Sequence, residues 1–359
     1  MISKEQLKKT FLELIAIDGI FPYEQKVSEY VEKRLTDAGV LFVKDSFENI
    51  IAKIPGEGEA IMISTHLDIP EPAPDVKFKE KGDIIESDGS SILGADPKSG
   101  LAVLVDFLCD MAKTDPSTHV PIEALITRGE EVGLVGALNA DYSKISAKIG
   151  LVLDEDGPVT QVVTKAPAYV RIDADIIGKI AHPRDPNDGV NALQIACEAL
   201  NQIPWGYSTE GVTWNVGLFE AGTARNSIPG RVHFKGELRS FDTERAMKEG
   251  ERIEKICKEV AEKHGAEFKI QRELEFESYE LERSDPLFER LDKTFKRMNL
   301  EPNYYETFGG TDGNVFNSKG ITCVPIGSGY YNAHQYSEYV DLAEMQEIAE
   351  FLKEFVSDI

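Results

Sequence analysis

The residues able to do chemistry are concentrated in five short stretches. In ITRGEEVGLVGA, Ile126 to Ala137, an apolar run turns at Arg128-Gly129 and presents Glu130 and Glu131 side by side before what reads as a helix start. Consecutive side chains leave a strand end in different directions, so one carboxylate can bind a metal while its neighbour faces a water. THLD sets His66 and Asp68 two residues apart, on one face of an extended segment. Asp96 in GADPKSG stands where a loop enters a helix, Asp154 in LVLDEDG ends an apolar strand, and His334 in NAHQYSEY follows a glycine-rich turn. Singly, each has an ordinary structural reading: an acidic turn, a helix cap, a chance His-x-Asp. Together they set His, Asp, Glu, Asp and His at the carboxyl ends of successive strands, where open α/β sheets hold their ligands. Two imidazoles and three carboxylates suit zinc, or manganese or cobalt, better than a metal that prefers soft ligands.

The elements that must position these residues follow from periodicity. Amphipathic helices are expected over 3–17 and 23–38, strands over 41–44, 50–54 and 60–64, an apolar helix over 101–111, and strands over 121–126 and 149–153. The polar stretch between Asp68 and Leu93 reads as a surface excursion bearing a small hairpin. Strands alternating with helices predict an α/β domain with a mixed, mostly parallel sheet covered by helices. From Ala168 the order changes to strand 170–177, helix 189–200, strands 212–221 and 231–240, helix 243–264 and strand 266–272. That is a ferredoxin-like α+β unit. Helices over 287–298 and 342–356 resume the first pattern. The expected domains are a discontinuous α/β domain, 1–167 and 276–359, and an inserted domain, 168–275.

Composition excludes several function classes. A chain of 359 residues exceeds one typical core, and 42% hydrophobic with 28% charged residues describes an ordinary globular protein. Thirty-nine Lys and Arg against 63 Asp and Glu leave a net charge of −24, which repels nucleic-acid phosphates and anionic lipid. Neither nucleic acid nor membrane is an expected partner. The N-terminus is an amphipathic helix pattern broken by charges, without the apolar core of a signal peptide. Cys109, Cys197, Cys257 and Cys323 are scattered among apolar neighbours and read as buried thiols in a reducing cytoplasm.

The series THLD, GADPKSG, TRGEEVGLVGA, LVLDEDG and NAHQYSE resembles the cocatalytic zinc metallopeptidases of the aminoacylase/carboxypeptidase clan, and within it the peptidase T (tripeptidase) branch. The five stretches occur in family order, and the resemblance spans essentially the whole chain. It implies two zinc ions, or manganese or cobalt, bridged by Asp96. His66 and Asp154 would complete the ligands of one ion, Glu131 and His334 those of the other. Glu130 would be the general base that takes a proton from the attacking water, and Asp68 would orient His66. Asp156 is close enough to Asp154 to take its place as ligand. The inserted domain would serve as lid and dimerisation domain.

Within that domain, His182 in GKIAHPRDPNDG would stabilise the oxyanion, often in the partner subunit's site; it reads equally as a turn histidine beside Pro183. Asn226, Arg239 and the run Gly309-Gly310-Thr311 match the family's substrate-contact segments, and Arg239 can also be a sheet-edge ion-pair residue. Tripeptidases are expected to carry an arginine before GGTDG, where this chain has Phe308. After the bridging aspartate the family commonly has a cis peptide bond. Here Pro97 follows, lowering the trans preference to roughly 0.5–1 kcal/mol, so Asp96-Pro97 is expected to be cis. The resemblance implies a cytoplasmic homodimer that hydrolyses short peptides, of aminopeptidase or tripeptidase type. The alternatives are an N-acyl-amino-acid amidohydrolase or a carboxypeptidase on the same scaffold, and a non-enzymatic metal- or small-molecule-binding protein.

Overall fold

The computed structural model describes residues 2–207 and 211–357. The chain forms two compact units. One holds the chain up to Thr164, Leu281–Glu306 and the chain from Thr311 on; the other holds Lys165–Glu280 and Thr307–Gly310.

At the centre of the first unit four strands run parallel in the order Ile122–Thr127, Ile61–His66, Ile149–Glu155, Thr322–Gly327. Ile50–Ile54 and Leu41–Lys44 extend one side antiparallel, and Gln161–Ala166 extends the other, so the expected mixed sheet with a parallel centre is present. Ile61–His66 and Ile122–Thr127 are buried at every position, as strands covered on both faces must be. The helix Ala95–Met111 is apolar nearly all round because it lies inside the core, against the helices Lys4–Ile15 and Leu342–Val356. It approaches the sheet so closely that a Cβ on Gly100 would lie 2.6 Å from the Leu153 carbonyl oxygen. Only glycine fits there, one residue ahead of Asp154 on the facing strand.

The excursion after Asp68 does carry a hairpin, Phe78–Lys81 with Ile84–Ser87. That hairpin is no isolated feature. Ile84–Ser87 pairs with Tyr339–Asp341, which pairs with Tyr330–Tyr331, so a small sheet anchors both ends of the loop bearing His334.

In the second unit all strands are antiparallel, in the order Gly206–Tyr207, Val212–Ala221, Arg231–Ser240, Ala168–Ile177, Glu267–Phe276. Burial alternates strictly along Ala168–Ile177, and its inward side chains pack with the helices Ala192–Leu200 and Thr243–Lys263. The ferredoxin-like order expected from the sequence is therefore present. One cysteine corrects the sequence reading: Cys197 is exposed, on the solvent side of its helix, whereas Cys109, Cys257 and Cys323 are buried. Among the described residues no helix is long and apolar enough to cross a membrane.

Candidate metal centre

Strand register brings the site together. His66 ends its strand opposite Thr127, and the pairing of Ile61 with Ile149 through Ser64 with Val152, continued two residues, sets His66 level with Asp154. His66 Nε2 lies 3.3 Å from Asp154 Oδ1 and 3.3 Å from Asp96 Oδ1. The other oxygen of Asp96 lies 3.4 Å from His334 Nε2, which is 3.1 Å from Glu131 Oε1. Two groups of metal-ligand spacing result, His66/Asp96/Asp154 and Asp96/Glu131/His334, and Asp96 belongs to both. A third, His66/Glu130/Glu131, overlaps them. Asp156 joins none of these groups; it accepts the backbone amides of Asn332 and Ala333, in the turn before His334. The Asp96-Pro97 bond is cis, as expected, and Asp96 departs from helical geometry (φ −81°, ψ 115°) within the first turn of its helix.

Asp68 is fully buried and holds three partners. It accepts the amides of Glu130 (3.0 Å) and Glu131 (3.2 Å), and it lies 3.4 Å from His66 Nδ1. The glutamate turn is fastened from behind by residues that sequence reasoning passed over. The Arg128 guanidinium donates to the buried Glu24 (2.9 Å), its amide donates to Asn49 (3.1 Å), and Asn49 also donates to the Gly136 carbonyl (3.0 Å). The helix expected from GLVGA is a single turn, Val135–Leu138.

The donor set fits a pair of cations. Asp96 Oδ1 and Glu131 Oε1 are buried without a properly directed hydrogen-bond donor. The close carboxylates of Asp96 and Glu131 push the half-exposed His334 up to about 11, the mark of a cluster with surplus negative charge. Burial, and then the charge of Asp154, raises Glu130 well above the ordinary carboxyl range. Nearby Asp312, buried and hydrogen-bonded by Thr127, is pushed up by burial to about 6.

The remaining sequence candidates divide between the units. Thr311 caps the helix Asp312–Ser318, its hydroxyl accepting the Gly313 amide at 3.1 Å. Gly309 and Gly310 belong to the second unit, and a Cβ on Gly310 would meet the Phe276 ring at 2.3 Å. His182 and Asn226 lie on exposed loops of the second unit, drawn together by the Ile228 amide on the Ala181 carbonyl (2.9 Å). Each nitrogen of Arg239 is already engaged: Nε and Nη2 with Glu237 (3.2 Å each) and Nη1 with the Phe308 carbonyl (2.7 Å).

The chain is similar over its full length to proteins of known fold. A structure of the aminopeptidase PepT from Bacillus cereus superposes with a TM-score of 0.85 at 30% identity, covering 99% of this chain and 98% of that one. The chain belongs to the peptidase T family. A tripeptidase of Staphylococcus aureus gives a TM-score of 0.91 at 29% identity with the same coverage, and an uncharacterized Bacillus subtilis protein, YqjE, is 30% identical over 100% of this chain and 99% of its own. Residues 165–265 match the peptidase dimerisation domain, and 49–170 match peptidase family M28. Peptidase T membership accords with the parallel sheet, the inserted ferredoxin-like unit and the clustered His and carboxylate groups, and makes the chain a metallopeptidase.

Proposed function

We propose that this protein is a cytosolic, dinuclear zinc aminopeptidase that acts on short peptides from their free N-terminus. The observation that carries the reading is the pair of ligand groups sharing Asp96, with the raised carboxyl of Glu130 beside them. A zinc pair, when bound, lowers the pKa of a water and polarises a scissile carbonyl. His66 and Asp154 would hold one ion, Glu131 and His334 the other, and Asp96 both. Asp68 holds the backbone of both glutamates and would orient the imidazole of His66, whose Nδ1 lies 3.4 Å away, so the donors are set before substrate arrives. Glu130 would take a proton from the attacking water and return it to the departing amine. The free thiols of Cys109, Cys257 and Cys323 accord with a reducing compartment.

An N-acyl-amino-acid amidohydrolase on the same scaffold is separated by one comparison. A free tripeptide should be cleaved and its N-acetylated form should not; the reverse preference would establish the amidohydrolase. Zinc, manganese and cobalt supplied in turn to the apoprotein, with a peptide library as substrate, would identify the metal and the preferred chain length. Phe308 before GGTDG supplies no cation, and the Arg239 guanidinium is drawn to Glu237 and the Phe308 carbonyl, so neither position is set to bind a peptide carboxylate. Amidating the C-terminus of a good tripeptide should therefore change kcat/KM by no more than about tenfold. A drop of about 100-fold or more would reveal a carboxylate contact and a stricter tripeptidase.

Homodimerisation through the inserted unit has structural support. Gly206–Tyr207 pairs with Trp214 and Thr213, and among the described residues the outer edge of the strand over 215–221 is open, with Leu218 and Phe219 exposed. Open strand edges invite pairing with another chain. If His182 donates to the oxyanion, His182→Ala should lower kcat by roughly 10²–10³-fold with metal content unchanged. Mixing it with Glu130→Gln protein should regenerate activity in heterodimers if the donation crosses subunits. Verified subunit exchange without recovery would confine His182 to its own chain.

A further inference from the structure

Glu338 is a buried carboxylate with no role in the chemistry described above. It lies four residues after His334 and is 1% exposed. Its Oε2 accepts the amides of Leu93 and Gly94, both at 2.7 Å, and its Oε1 accepts the amide of Asp96 at 3.0 Å. These N–H groups sit at the start of the helix Ala95–Met111, where the helix leaves its first donors unpaired and Gly94 provides no side-chain cap. Three backbone N–H groups therefore converge on one buried carboxyl, whose oxygens satisfy donors the helix start leaves unpaired. The other end of Glu338 is also held: its carbonyl accepts the Ser87 amide at 2.9 Å, next to the strand pairing that carries the His334 loop. In the first turn of the same helix the buried Lys98 ammonium donates to the Ile17 carbonyl at 2.7 Å and adds a cation to the carboxyl's surroundings.

One side chain therefore joins the backbone of Asp96 to the loop that carries His334. The geometry points to Glu338 as a positioning residue that locks these two ligands together, so that both metal positions form or weaken as a pair. Glu338 belongs to none of the candidate ligand groups; its action passes through the backbone nitrogen of Asp96. The inference rests on the dinuclear reading of the site.

The test is a zinc titration of the apoprotein against a competing chromophoric chelator, for the parent, Glu338→Gln and Glu338→Asp. Glutamine keeps the size but turns one acceptor into a donor that faces an N–H; aspartate keeps the charge but is one methylene too short for all three amides. Glu338→Gln should weaken both zinc equivalents together, by roughly 10–100-fold, and Glu338→Asp by less. A purely structural role would lower the melting temperature of the apoprotein and leave the affinity of the folded protein at the parental value, and that result would overturn the inference. Weakening confined to one equivalent would overturn it as well. If neither variant folds, hydrogen exchange on the parent decides: zinc should raise protection at 93–96 and 331–338 together, and no change in either segment counts against the coupling. A parent that takes up none of zinc, manganese or cobalt would instead remove the dinuclear reading itself.

Discussion

Glu130→Gln is expected to lower kcat by roughly 10²–10⁴-fold, the usual contribution of a positioned general base, while the purified protein keeps its full metal content. The amide is close to the carboxylate in size, so the turn held by Asp68, Arg128 and Asn49 should be undisturbed. What it loses is the ability to accept a proton in water attack. KM should change little, because the lost interaction belongs to the transition state. Metal must be measured in the same sample, since His66, Glu130 and Glu131 also have metal-ligand spacing. Loss of one metal along with activity would make Glu130 a ligand; parental turnover at saturating metal would remove it from the chemistry.

Asp96→Ala should have the larger effect on the centre itself. Asp96 is the one residue common to the two outer ligand groups, its two oxygens facing His66 and His334 at 3.3 and 3.4 Å. Removing it takes a donor from both positions and leaves the remaining carboxylates crowded without their bridge. Both equivalents should be lost together and activity should be undetectable. Asp154→Ala and Glu131→Ala should each weaken one equivalent first. If Asp96→Ala still bound both metals with near-parental affinity, Asp96 would not be the bridge. Adding a chelator to the parent should abolish activity reversibly, with recovery on return of metal.

How much of this was legible before the structure depends on whether the signal was local. Strands Leu41–Lys44, Ile50–Ile54, Val212–Ala221 and Arg231–Ser240 coincide with the predicted ranges because short apolar runs or alternation, set off by turn residues, mark them. Thr322–Gly327 was not anticipated: Pro325 cannot donate to a ladder, yet the strand lies inside the sheet beside Ile149–Glu155. The helix Ala95–Met111 begins six residues before the predicted start at Leu101. Pro97, Ser99 and Gly100 are poor helix formers in isolation, but tertiary packing demands a proline-compatible first turn and a bare Cα against Leu153. Lys98 within that turn is fully buried, which no periodicity would place.

By itself, the sequence determined which residues carry the chemistry and their order along the chain. Those are properties of short stretches: His66 and Asp68 at i and i+2, paired glutamates after an apolar run, an aspartate at a helix start. Tertiary structure decided the rest. It chose Asp154 over Asp156 for the cluster, because sheet register sets only Asp154 level with His66. It recruited Glu24, Asn49 and Glu338 as supports. Backbone N–H groups are the same in every residue but proline, so the sequence carries no mark of which distant carboxylate will accept them. Glu338 and Leu93 are 245 positions apart, and only the folded chain brings them to 2.7 Å.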